Sequence, residues 1–481
     1  VTNSTVSGSF ITASTIDLDD LATRVQQLSG RCHARSLSLQ GAAQLLPQEW
    51  HAPAHAIAVQ VAQISRDLQG VGNGLQSTSE AYAWRESFLA AVTPETSSTM
   101  FWGLGRLFAL MAPAAIPAVI GGVAAVMATW TLTGKRPGEL LSSPVFVTGA
   151  GYVVSGIDDF GAGILGIPRP VMAAIGEQGL GLSGPSTLAA GILLLAGAGF
   201  GAGAAAGSDV GAGPWVRAET PVTVSRVSTA AAEAPHGIED LVGRIPRASP
   251  EMAQVRIERY DGAPGENATF IVYVGGTIDT ALRATDEPWD MTSNLAALAA
   301  LDAGSYRAAV LAMREAGIAS DDLVTLVGHS QGGLLAARIA QSEEFRVGDV
   351  VTVGAPIHQI EIPAGVTVTA IEHNEDLVPT LGGLPLAGGL LGGAARLGKG
   401  SAISGATASG TTITVRRSAL TGMTPSASDA LPGHNLSRYV ETGRVMDDSP
   451  DPQLISLRAR LAAHAQGAAE VSLWRAERQA R

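Results

Sequence analysis

The 481-residue sequence contains one cysteine, Cys32. A single thiol excludes an intramolecular disulfide and any zinc site built on paired cysteines. Charge is also scarce. Asp, Glu, Lys and Arg make up 15% of the chain, against about a quarter in ordinary soluble domains. Positive charge is the rarer sign, with 31 Lys and Arg against 43 Asp and Glu and a net charge of −12. That balance excludes a nucleic-acid groove and a polybasic membrane anchor. The opening residues lack the basic, apolar and cleavage-site pattern of a secretory signal. The expectation is therefore membrane association, or secretion by a non-standard route. What the chain has in excess is apolar residues, with a mean hydropathy of +0.23. At this length two or three domains are expected, part of them lipid-facing or deeply buried.

Taken in order, residues 1–100 read as a helical hairpin domain. Leu18, Leu21, Val25 and Leu28 share one helical face, and Ile57, Val61, Ile64, Leu68, Val71 and Leu75 share another. The turn between them falls at Leu46-Pro47-Gln48-Glu49-Trp50. Residues 101–212 read as an apolar, membrane-inserting helical region. Two uncharged runs, Leu107 to Leu132 and Gly179 to Ser208, each reach the length that spans a bilayer. A linker is expected over 213–237. Strands then alternate with helices through 238–450, which implies an α/β domain with a mostly parallel sheet. Leu454, Leu457 and Leu461 mark an amphipathic helix closing the chain over 451–481.

The informative stretch is Leu323 to Gln341. Five uncharged, mainly β-branched residues, Leu323 to Val327, suit a strand buried on both faces. Leu334, Leu335 and Ile339 then follow at helical spacing. Between them stands Gly328-His329-Ser330-Gln331-Gly332, a G-x-S-x-G sequence in the context of a nucleophile elbow. A chain turned from strand to helix this sharply strains the serine backbone. It also leaves no room for side chains at either glycine. The return is a hydroxyl raised above the sheet, beside the positive end of a helix.

With these surroundings the chain resembles the serine α/β-hydrolases over about residues 238–445, and is most similar to lipase-like and esterase-like actinobacterial members. The resemblance implies a Ser…Asp/Glu…His order. The acid then belongs after the strand Val366 to Glu372. Asp376 is chosen there because Asp376-Leu377-Val378-Pro379 matches the family pattern, with Glu372 and Glu375 open as alternatives. Only His434 and His464 follow Asp376. His434, in a loop before a helix, suits a general base, while His464 falls inside the closing helix. Ser330, Asp376 and His434 form the expected triad. The backbone N–H groups of Gln331 and of Gly276, in Gly275-Gly276-Thr277, are the expected oxyanion donors. Asp290-Met291-Thr292-Ser293-Asn294 also resembles the group and is placed near the pocket.

The N-terminal hairpin in turn resembles the Trp-x-Gly helical-hairpin family of type VII secretion substrates. Trp50-His51-Ala52 stands at the turn, with alanine where that family has glycine, and Tyr82-Ala83-Trp84-Arg85-Glu86 matches its Tyr-x-x-x-Asp/Glu signal. That likeness implies a helical partner for the hairpin.

Other patterns fail on context. Gly179 to Gly184 fits a dinucleotide fingerprint in letters only, with no strand before it. Gly400 takes the place of the hydroxyl residue that a phosphate loop ending at Lys399 would need. His51 and His55 have no third ligand in view. No cofactor and no metal are expected. The expected function is hydrolysis of an acyl ester, lipid or other, at a membrane. Acyl transfer, or a hydrolase fold that only binds, are the alternatives.

Overall fold

Alternation of side chains along a strand decides which residues meet which helices. The computed structural model describes residues 15–91, 141–156 and 220–479 except 263–266, 281–284, 384–409, 421–422 and 424–428, with isolated positions between 100 and 189. The chain divides into two compact units, one built on the N-terminal helices and one on the C-terminal sheet.

In the first unit α1 (Thr15–Ala43) and α2 (His51–Ala91) form the expected hairpin, joined through a 3-10 turn at Gln48–Trp50. Their contact face differs from the expectation. The buried residues are Ala22, Ser29, Ser36 and Ala43 on α1 and Ala58, Ser65, Gly72 and Ser79 on α2, each set spaced by seven. Leu21, Leu28, Ile57, Ile64 and Val71 are exposed. Small side chains let the backbones approach until hydroxyls reach the opposite carbonyls. Ser29 Oγ donates to Ser65 O at 2.7 Å, Ser65 Oγ to Ser29 O at 2.9 Å, and Ser36 Oγ to Ala58 O at 2.8 Å. Leucines in that seam would hold the helices too far apart for those bonds. Tyr82 to Glu86 lie in α2, with side chains outside the described set.

The second unit carries α3 (Pro144–Ser155), which packs against a 3-10 turn at Pro379–Gly382. The sheet and its helices follow as β1 (Val222–Glu233), α4 (Ile238–Gly243), β2 (Val255–Tyr260), β3 (Thr269–Val274), α5 (Met291–Leu298) and α6 (Gly304–Glu315). Next come β4 (Leu323–His329), α7 (Gln331–Ser342), β5 (Arg346–Val353), β6 (Thr367–His373) and β7 (Thr411–Arg417). The chain ends with α8 (Leu436–Asp447), α9 (Pro452–His464) and β8 (Ala468–Arg478). The eight strands run in the order β1-β8-β2-β3-β4-β5-β6-β7. Phe270, Val272, Val324, Leu326 and Val350 face a core shared with α5, α6 and α7. Ile271, Tyr273, Val327, Val351 and Ile371 face the other, shared with α4, α8 and α9. Each fully buried aliphatic side chain contributes roughly 1.5–3 kcal/mol.

The sheet is parallel from β3 to β7 and antiparallel through β1, β8, β2 and β3. Two expectations are corrected. The linker expected at 213–237 contains strand β1, and the closing helix expected over 451–481 gives way after His464 to β8, inserted between β1 and β2. Among the described residues no helix is long and apolar enough to cross a membrane. The uncharged runs at 107–132 and 179–208 lie almost wholly outside the described residues, as does most of the Gly-rich stretch at 382–410.

Candidate active site

Strand β4 ends at His329 and helix α7 begins at Gln331, so one residue makes the turn. That residue, Ser330, has φ 55° and ψ −122°, a conformation that side chains rarely adopt. A Cβ on Gly328 would press into the backbone of Gly332 and Gly333, and one on Gly332 into the carbonyls of Val274 and Gly275. Both glycines of the elbow are therefore required by close approach.

Asp376 and His434 reach Ser330 from separate loops, both beyond the C-terminal ends of parallel strands. Just past β6, Asp376 Oδ1 accepts the Val378 N–H at 2.9 Å, a local turn that aims the other oxygen away. His434 ends a short 3-10 turn, Pro432–His434, immediately before the Asn435 cap of α8. Its Nδ1–H donates to Asp376 Oδ2 at 2.7 Å, and the Ser330 hydroxyl donates to its Nε2 at 2.9 Å. Of the expected site residues, Ser330, His434 and Asp376 are thus brought into one hydrogen-bonded line. The helix start after Ser330 carries the Gln331 N–H, and Gly276 stands beside Ser330, where a Cβ would lie 3.3 Å from the serine Cβ. Among the described residues neither backbone N–H has a protein acceptor.

The alternatives are engaged elsewhere. Glu372 accepts from His358 Nε2 at 2.6 Å and from Arg416 Nε at 2.9 Å. Burial would raise its pKa, but His358 and Arg416 overcome that and hold it low, at about 2. His464 sits at the end of α9 against Thr325 and Asp349. Asp290 caps α5 and is paired with the buried Arg478 at 2.7 Å, while Asn294 reaches Thr277 at 3.3 Å. The Gln331 side chain donates to Asp290 O and Ser305 Oγ, fixing the residue whose N–H follows the nucleophile.

Three residues at the site were missed by sequence reasoning. Tyr439 donates to Asp376 Oδ2 at 2.6 Å. His373 donates through Nδ1 to Gly433 O at 2.7 Å, tying the acid strand to the loop of the base. His329 donates through Nε2 to His434 O at 3.0 Å and stacks on its ring at 4.7 Å. Burial, then the neighbouring His434, lowers His329 to about 3. Burial likewise lowers His373 to about 4. Both are neutral near pH 7. The only hints in the sequence were that His329 occupies the variable position of the elbow and that His373 borders the acid loop.

Residues 252–380 match a family model described as an alpha/beta hydrolase. The C-terminal unit accordingly has an α/β-hydrolase fold, which supports a hydrolase-type function. The matched span holds Ser330 and Asp376 of this α/β-hydrolase unit and stops before His434. No curated protein and no solved structure matches the chain.

Proposed function

We propose that the chain is a serine hydrolase that cleaves carboxylic esters, lipid or other acyl, through an acyl-enzyme. The observation that carries the reading is the unbroken hydrogen-bonded line Ser330–His434–Asp376. His434 takes the hydroxyl proton as Ser330 attacks the acyl carbonyl, and Asp376 holds the imidazole tautomer and stabilises its charge. The Gln331 and Gly276 N–H groups receive the oxyanion. His434 then returns the proton to the leaving alcohol, and water repeats the sequence to release the acid. The backbone conformation at Ser330 counts against a fold that only binds, because such strain costs of order 1–3 kcal/mol and returns nothing to an idle hydroxyl. The apolar composition of 101–212 supports action at a membrane, and the Trp50-containing hairpin supports a helical partner.

The test is labelling of the purified protein with a fluorophosphonate, together with turnover of short p-nitrophenyl esters. The parent chain is expected to be labelled and active. Ser330→Ala is expected to fold, to resist the label and to lose several orders of magnitude in kcat. An alanine variant as active as the parent would remove Ser330 from the chemistry.

A further inference from the structure

Tyr439, in the first turn of α8, is fully buried. Its hydroxyl donates at 2.6 Å to Asp376 Oδ2, the same oxygen that accepts from His434 at 2.7 Å. That hydroxyl also accepts the His373 backbone N–H at 3.3 Å, and the two rings lie flat together, 3.8 Å apart at 9°. Asp376 Oδ2, His434 Nδ1 and the tyrosine hydroxyl stand 2.8, 3.0 and 3.0 Å from the one point a Cβ on Gly354 would occupy. The three atoms thus converge over a residue that has no side chain to separate them. Asp376 Oδ1 is held independently by Val378.

We propose that Tyr439 is a positioning residue for the reaction: by donating to the Asp376 oxygen that faces His434, it fixes the carboxylate's rotation and draws off part of the charge offered to the imidazole. The inference rests on the ester-hydrolase reading of Ser330. Tyr439 suits this part because it keeps its proton. Burial, then the charge of Asp376, pushes the phenol well above its ordinary range. Other ionisable groups face the pair from three strands. His373 and Glu372 end β6, His329 ends β4, and Arg417 ends β7, reaching Thr442 at 3.1 Å and paired with Glu441 at 3.4 Å. His329 and His373 stay neutral and Glu372 ionised between about pH 6 and 9. His329, His373 and Glu372 therefore add no titration of their own over that range.

The sign follows directly. Without the phenol donor the full carboxylate charge falls on His434, which holds its proton to higher pH. In Tyr439→Phe the rising limb of kcat/KM should therefore move up by about half a pH unit. The plateau kcat should fall roughly tenfold, because the carboxylate loses one of its restraints. Thr442→Val removes a partner of His373 but keeps the phenol, and its limb should coincide with the parent's. Fluorophosphonate labelling of Ser330, run on every variant, separates the two readings. Labelled Tyr439→Phe protein whose limb coincides with the parent's overturns the role of Tyr439. A parent chain that takes no label removes the ester-hydrolase reading, and this inference with it. If the Phe variant does not fold, 3,5-difluorotyrosine in place of Tyr439 keeps the shape and strengthens the donor. The limb should then move to lower pH, and a stationary limb overturns the proposal.

Discussion

Ser330, Asp376 and His434 were each legible because each has a local signature: a strained turn between glycines, an Asp-x-Val-Pro loop, a Pro-Gly-His before a helix. Tyr439 had none. A tyrosine in the first turn of an amphipathic helix looks like core, and only the fold brings it to a carboxylate 63 residues earlier in the chain. His373 and His329 were hidden for the same reason, since their partners, Gly433 and His434, lie far along the sequence. The acid assignment is tested by comparing two neighbours. Asp376→Asn presents an amide to Nδ1 and favours the wrong tautomer, so kcat should fall by about 10³–10⁴. Glu375→Gln leaves both bonds to Asp376 Oδ2 in place and keeps the size of a buried side chain, so kcat should stay within about threefold of the parent. A steady-state comparison with the opposite ranking would move the acid to Glu375.

At the level of elements, the parallel strands β3 to β6 were legible because they are buried on both faces and read as apolar runs. The two strands outside that logic were lost. β1 is an edge strand exposed along most of its length, so no apolar alternation marks it. β8 is rich in Ala, Glu and Arg, residues that favour helices, and pairing with β1 on one side and β2 on the other overrides that preference. In the hairpin the pattern that decides packing is a seven-residue repeat of Ala, Ser and Gly, which a search for large apolar faces passes over. The interior place of β8, between β1 and β2, has a measurable consequence. Leu473 lies between Ser228 of β1 and Arg256 of β2. Leu473→Pro removes a ladder donor and should destabilise the hydrolase unit by on the order of 3 kcal/mol. Urea unfolding that retains the parent midpoint would mean β8 is not an integral strand. A fragment used for such work should begin near residue 218, because starting at 235 would discard β1.

For the whole molecule, acid should be the weak side of its stability. His329 and His373 are held to about 3 and about 4 by burial, and burial lowers His464 as well. In the unfolded chain each returns to about 6.5. Their folded values lie below their unfolded ones, so the unfolded chain binds more protons once pH drops under about 6.5. The stability these neutral histidines give is fully present above about 6.5 and is lost as pH falls toward their folded values. His329 and His373 should each cost roughly 2 kcal/mol by pH 5, and His464 acts in the same direction. Glu287 works the other way: burial raises it, so the folded state takes up its proton at a higher pH than the unfolded chain does and gains stability there as pH falls. Between about pH 6.5 and 5 these three histidines act against this one carboxyl, and the net change is a loss. Urea midpoints measured at pH 8, 6.5 and 5 should be nearly equal at the first two and clearly lower at the third. A midpoint that holds steady down to pH 5 would show that the imidazoles can be charged inside the fold, and their part in fixing the acid and base loops would have to be argued on other grounds.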